Sequence, residues 1–282
     1  MNTSPKTRFL RLFSFSALAI CALISEHASA MPITRSVTLQ VYQLCDDAGN
    51  NCASTGPAGN SYFSNETNRI WSQAGIEVIF NFVAQINSTG FSFLSGVAGD
   101  DFAGLAGAYG TRGPSSTVID LFLVHTLTGL FGEAWQGQGG MVIAMDAVMA
   151  FNGGLGRIDT IAHELGHNLG LVPVFLGGDA GGHSSLAEFL MGSGEWRSVP
   201  GTLAHIAPSG LGLDQIPENQ AEFARQSLLL GDVAPRPDTE VPETGSMMLL
   251  GSGLLAIAGV VSQSAGISRH SVGDERALQE RE

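Results

Sequence analysis

Two stretches early in the chain alternate between apolar and polar residues. Ser36–Leu44 (SVTLQVYQL) and Ile76–Val83 (IEVIFNFV) therefore predict half-buried β-strands. Between them Asn65–Ala74 (NETNRIWSQA) predicts a helix, with Ser64 as N-cap and Gly75 as its stop. Val118–Val124 (VIDLFLV) is nearly all apolar and bounded by turn residues, which suits a central strand covered on both faces. Met141–Met145 (MVIAM) predicts a further strand. Arg157–Leu169 carries the clearest helical period: Ile158, Ile161, Ala162, Leu165 and Leu169 share one face, and Gly170 follows as the C′ residue. Residues 88–115, rich in Gly, Ser and Ala, read mostly as loop. The order strand, helix, strand, strand, strand, helix predicts a mixed α/β (α+β) domain with a twisted mixed sheet.

The two ends break this pattern. In residues 1–30, Lys6, Arg8 and Arg11 precede an apolar run from Leu12 to Ile24, and Ala28-Ser29-Ala30 forms a small-residue cleavage site. This predicts a secretory signal peptide removed before Met31, hence an exported protein without an N-terminal prodomain. Residues 31–231 are then the folded domain. Residues 232–246 read as a Pro- and acid-rich linker, 247–268 as a hydrophobic segment of marginal length for a transmembrane span, and 269–282 as a charged tail.

Charge narrows the partners. The chain has 13 Lys plus Arg against 26 Asp plus Glu, a formal net charge of −13. Such a surface repels nucleic acid and anionic membrane. Cys21 falls in the signal peptide, which leaves Cys45 and Cys52. In an exported protein a close pair of this kind predicts a disulfide pinning one loop. A calcium loop at Asp46 and Asp47 is the alternative for that stretch.

The chemistry centres on His163-Glu164-Leu165-Gly166-His167. On a helix, residues i and i+4 stack on one face, so His163 and His167 can hold one Zn2+. Glu164, beside the first ligand, is the expected general base. The alternative is a helix with two surface histidines.

Extended to Gly170, the motif resembles that of the metzincin metallopeptidases, H-E-x-x-H-x-x-G-x-x-H, reprolysin-like in kind. The resemblance covers roughly residues 31–230, through Asn-Arg-Ile-Trp-Ser-Gln-Ala-Gly-Ile (68–76), the 118–124 strand, the motif helix and Phe189-Leu190-Met191. It implies that Gly170 breaks the helix, that Met191 lies beneath the metal as a Met-turn, and that an edge strand within Gly132–Met145 pairs with an extended substrate. The chain departs from the family where the third histidine belongs, since Pro173 stands there. An insertion, Val172–Gly182, leads instead to His183, the expected third ligand; Asp179 and Glu188 are the carboxylate alternatives. Some metzincins carry a metal-reaching Tyr two residues after the Met; here that residue is Ser193. His125 and His205 are expected to be structural.

Val241-Pro242-Glu243-Thr244, the apolar run 247–261 and Arg269 resemble the PEP-CTERM sorting signals of Gram-negative bacteria. Thr244 replaces the usual second Pro, and Arg269 comes late and alone. The same residues resemble a sortase-type L-P-x-T-G signal, and a plain membrane anchor is the third option. Either sorting reading implies a processing peptidase as partner and a place on the cell envelope surface or outside the cell. The function expected is a monomeric zinc metalloendopeptidase that hydrolyses extended protein or peptide substrates. Two alternatives stay open: a non-catalytic zinc-binding surface or matrix protein on the same fold, and a hydrolase of non-peptide amides.

Overall fold

The computed structural model describes residues 31–95, 100–110, 117–194 and 196–233. The readings of residues 1–30 and 234–282 lie outside them. In chain order the elements are β1 (Arg35–Cys45), α1 (Ser64–Trp71), β2 (Ile76–Asn87), the one-turn α2 (Thr89–Ser92), β3 (Phe93–Leu94), α3 (Asp100–Tyr109), β4 (Val118–Val124), β5 (Thr126–Leu127), β6 (Gly132–Ala134), β7 (Met141–Ala144), α4 (Met145–Gly154), α5 (Thr160–Asn168), α6 (Glu218–Ala224) and β8 (Gly231–Asp232).

The fold is mixed α/β. The main sheet runs β2-β1-β4-β7-β6, with β8 paired to the start of β1. β2, β1, β4 and β7 are parallel neighbours, and β6 closes one edge antiparallel to β7. β3 and β5 form a small parallel pair of their own. Parallel strands need crossovers, which place helices over the sheet. The two faces accordingly bury separate cores. Ile119, Leu121 and Leu123 of β4 join one core with Trp71 of α1 and Leu165 of α5. Phe122 and Val124 join the other with Phe102 and Leu105 of α3. The nearly all-apolar run of β4 thus reflects a strand buried on both faces, with Asp120 buried among the apolar residues.

The second strand outruns its predicted end. Pairing of β1 with β2 passes from Val41↔Phe82 to Tyr42↔Ala84, so Val83 is an extra residue. An extra residue flips the alternation. Val78 faces the first core, whereas Ile86 faces the second. The alternation seen in the sequence stops at Val83 because the strand changes faces there.

Three other expectations are corrected. Residues 88–115 hold a helix, α3: Phe102, Leu105 and Ala106 form an i, i+3, i+4 stripe hidden by its Gly and Ala content. Phe102 stacks on Trp135 at 4.1 Å and meets Phe122 edge-on at 6.5 Å. Met145 opens α4 rather than ending β7. Ser64 is the first residue of α1 and Phe63 holds the N-cap position; the Asn60 side chain, from the turn before, accepts from the Asn65 N–H at 3.1 Å and donates to Glu66 at 2.6 Å. Gly75 does stop the helical segment, at φ +64°. At the far end Asp232, assigned by composition to the linker, is still in the sheet and pairs with Arg35. Among the described residues no helix is long and apolar enough to cross a membrane.

One buried contact ties the first crossover helix to α5. Trp71 is fully buried and its indole N–H donates to the Ala162 carbonyl at 3.2 Å. Trp71→Phe keeps an aromatic ring but removes the donor and some volume. It should lower the unfolding free energy by about 1–3 kcal/mol in urea titrations; an unchanged midpoint would show that the contact is not holding α5.

Candidate metal centre and cleft

α5 is buried along its whole length, from Thr160 to Asn168. A buried helix must aim its polar side chains at partners. His163 and His167, one turn apart, face the same point, and His183 reaches it from the loop beyond. One ligand atom from each of the three imidazoles lies within 4.8 Å of the others. Ring centroids are 4.9 Å apart for His163–His167, 5.4 Å for His163–His183 and 4.9 Å for His167–His183.

The insertion delivers His183 because its base is tied. Gly170, at φ +87°, ends the helix and turns the chain. The excursion then leaves at Val172 and returns to the same place, where the Val172 N–H donates to the Gly182 carbonyl at 2.9 Å. Asp179 organises the return: its Oδ1 accepts from the N–H groups of Gly181 and His183, both at 2.8 Å. Its carboxylate is therefore spent on the loop, and it is not among the grouped ligand atoms. Glu188 is not among them either. His183 is the residue of those three that the fold brings to His163 and His167.

The imidazoles are set up as neutral donors. The Leu190 carbonyl lies 2.7 Å from His163 Nδ1. The Arg197 guanidinium lies against the same Nδ1. Burial pushes the His163 pKa well below its ordinary value, helped by Arg197 and His167. Burial also brings His167 down to about 4, with His183 adding to the drop. The pKa of His183 falls for the same first reason. Three convergent neutral imidazoles beside an open cleft are the donor set of a catalytic zinc site, which leaves a fourth position free. The residues fit Zn2+.

Glu164 is buried beside them, and burial pushes its carboxyl up to about 8, against the pull of Arg197 and with Glu133 adding to the rise. Its side chain lies flat on β6. A Cβ on Gly132 would stand 2.7 Å from Glu164 Cγ and 2.8 Å from Oε1. Gly166, between the two histidines, is equally constrained: a Cβ there would stand 2.2 Å from the sulfur of Met191, itself fully buried. Met191 thus packs against the histidine helix at Gly166.

A cleft of about 670 Å³ opens over these groups, lined by Gly129–Ala134, by His163, Glu164 and His167, and by His183, Ser193 and Arg197. Two supports were not legible in the motif. Asn168 Nδ2 faces the carbonyls of Trp135, Gln138 and Gly140 at 3.1, 2.6 and 2.8 Å, and Gly137 N–H donates to the His167 carbonyl at 2.9 Å. Together they clamp the β6–β7 turn onto the end of α5. Arg197 donates to the Leu190 carbonyl at 2.7 Å and pairs with buried Asp159 at 3.0 Å, so it braces the segment that orients His163. No local pattern announces Arg197. Asn168 sits in plain view in the motif, but its type alone does not reveal what it holds.

The remaining candidates are structural. His125 binds Asp146 through Nδ1 and the Asn51 carbonyl, at 2.8 Å, through Nε2. His205 Nδ1 accepts from the Gly201 N–H at 3.2 Å. Cys45 and Cys52 form the expected disulfide. Asp46 Oδ1 accepts from Ala48 and Asn50 N–H groups at 3.0 and 2.8 Å, which makes it a turn residue.

No family model matches the sequence, and no curated protein matches it. Among solved structures, archaemetzincin from Methanopyrus kandleri is similar at 15% identity, over 68% of this chain and 96% of that one, with a TM-score of 0.37. Metalloproteinase-II from Bacteroides fragilis is similar at 14% identity, over 70% of this chain and 53% of that one, with a TM-score of 0.39. A zinc-dependent peptidase from Methanocorpusculum labreanum is similar at 13% identity, over 66% of this chain and 99% of that one, with a TM-score of 0.37. Likenesses this distant assign no chemistry, and the site rests on its own geometry.

Asn168 gives the sharpest test of that geometry. Asn168→Asp is isosteric but turns a donor facing three carbonyls into an acceptor. It should cost about 3 kcal/mol or more in denaturant titrations, and more than Asn168→Ala. Equal costs for the two variants would remove the clamp.

Proposed function

We propose that this chain is an exported zinc metalloendopeptidase, with His163, His167 and His183 as the metal ligands and Glu164 as general base. The observation that carries the reading is the placement of a buried carboxyl beside three convergent imidazoles, at the rim of an open sheet edge. Zinc held there would supply Lewis acidity, polarising a carbonyl and lowering the pKa of water toward about 7.

The chain's own residues supply the rest. β6 is the last strand of the main sheet, and its residues line the cleft. Its free edge can give main-chain hydrogen bonds to an extended peptide, which brings a peptide carbonyl over the histidines. Glu164, which a cation held by the histidines would keep ionised, takes a proton from water as the water oxygen adds to that carbonyl carbon. It then returns the proton to the departing amine as the C–N bond breaks. Gly132 lets the carboxyl lie close enough to the strand to serve both transfers. The Leu190 carbonyl fixes the His163 ring through Nδ1.

Export and C-terminal processing belong to the same proposal, supported by the charge and hydropathy patterns of residues 1–30 and 241–269. Mass spectrometry of protein secreted by a Gram-negative host should find a mature N-terminus at Met31; retention of residues 1–30 would refute export by this route.

Glu164→Ala should bind zinc at wild-type stoichiometry, measured by elemental analysis, while peptide cleavage falls about 10²–10⁴-fold. Wild-type cleavage should vanish with chelator and return with zinc. Gly132→Ala should also keep zinc but lose about 10²-fold in kcat, because a displacement of about 1 Å at the reacting groups costs that much. Unchanged turnover in Glu164→Ala would end the assignment.

A further inference from the structure

The cleft contains a charged group that the proposed hydrolysis does not use. Arg157, Thr160, Glu164 and His167 all line it, at spacings of three, four and three residues. They form one stripe along α5 and the turn before it. The Arg157 side chain is 10% exposed. Its guanidinium carbon lies 4.8 Å from the centre of the Phe131 ring and 5.7 Å from that of Phe151. Aromatic faces orient and desolvate a guanidinium but accept none of its ordinary hydrogen bonds.

Among the described residues the Arg157 guanidinium has no hydrogen-bond acceptor. Its Nε is buried without a partner, and the nearest carboxylate oxygen, Asp159 Oδ1, stands 3.9 Å away. Arg197 contrasts with it, being committed to Asp159 Oδ2 at 3.0 Å and to the Leu190 carbonyl at 2.7 Å. The second buried acid nearby is Asp214. Burial and the neighbouring Asp159 hold its carboxyl well above the ordinary carboxylate range. Among the described residues both guanidinium groups thus face the same aspartate, Asp159, beneath the cleft, in a chain whose net charge is −13.

We propose that Arg157 is a specificity-determining residue: a substrate carboxylate, carried on a side chain or at a chain terminus, binds in the Phe131–Phe151 frame as the bidentate partner of its guanidinium. An arginine fork in a low-dielectric setting matches a carboxylate in shape and charge. The inference rests on the peptidase reading for the identity of the substrate, not for the existence of the anion site. Position follows from the stripe. Thr160 to Glu164 spans about 6 Å at helical rise, and Arg157 lies one hydrogen-bonded turn before Thr160. An extended peptide advances about 3.3 Å per residue. The carboxylate therefore falls within about three residues of the bond attacked, all on one side of it.

The test walks a single Glu, paired with its Gln isostere, through the positions of one internally quenched peptide, and compares free-acid with amidated C-termini. One position should favour Glu over Gln at least 10-fold in kcat/KM, carried mainly by KM. If it is the terminus that binds, the free acid should show the gain. Arg157→Met should bring that ratio within about 2-fold of unity while leaving cleavage of the Gln peptide, and zinc content, near wild type. Arg157→Lys, which keeps the charge but loses the fork, should retain a reduced preference and covers a Met variant that does not fold. Calorimetric binding of the same Glu and Gln peptides to zinc-loaded protein provides a separate readout. Tighter binding of the Glu peptide without cleavage would keep the anion site and sink the peptidase reading. Cleavage with no Glu or free-acid preference at any position, or a preference unaltered in Arg157→Met or Arg157→Lys, overturns the inference.

Discussion

Burial of an ionisable helix face is the constraint from which the rest of this structure follows. His163, Glu164 and His167 sit on a helix with no exposed side. Polar groups removed from water cost free energy unless each finds a partner. The fold meets much of that cost by aiming them, although Asn168 Oδ1 has no hydrogen-bond partner among the described residues. The two imidazoles converge with a third, the carboxyl lies along an open strand, and Asn168 turns to three carbonyls. Burial also keeps the histidines neutral, the protonation state that coordination requires.

Close approach is the second half of that solution. Met191 can lie under the motif because residue 166 has no side chain, and Glu164 can lie on β6 because residue 132 has none. Both glycines act through space rather than through backbone conformation. Gly170 differs, since its left-handed φ of +87° is what turns the chain out of the helix.

The inserted loop shows how a spacing rule can be broken without losing the site. A ligand's position depends on where its loop is anchored, not on how long the loop is. The entropy of closing a loop grows only slowly with length. Here the Val172–Gly182 contact closes the excursion at its base, and Asp179 ties the returning chain. The extra residues therefore hang outside the site. Some of them, such as Val174 and Phe175, are left facing solvent at 71% and 74% exposure.

Local pattern alone determined much of this protein. The period-two runs, the apolar run of β4 and the amphipathic helix carrying two histidines and a glutamate are written in nearest-neighbour chemistry, and so is the Cys45–Cys52 loop. These features depend on residues close in sequence, which is why they could be read. Tertiary structure alone decided the choice of His183 over Asp179 and Glu188, the face switch of β2 at Val83, and the helix hidden among the glycines of residues 88–115. It also decided the bracing by Arg197 and the setting of Arg157, 3.9 Å from Asp159 between two aromatic rings. Each of these depends on which distant segment lies opposite, and a one-dimensional pattern does not carry the distance between two side chains that only folding brings together.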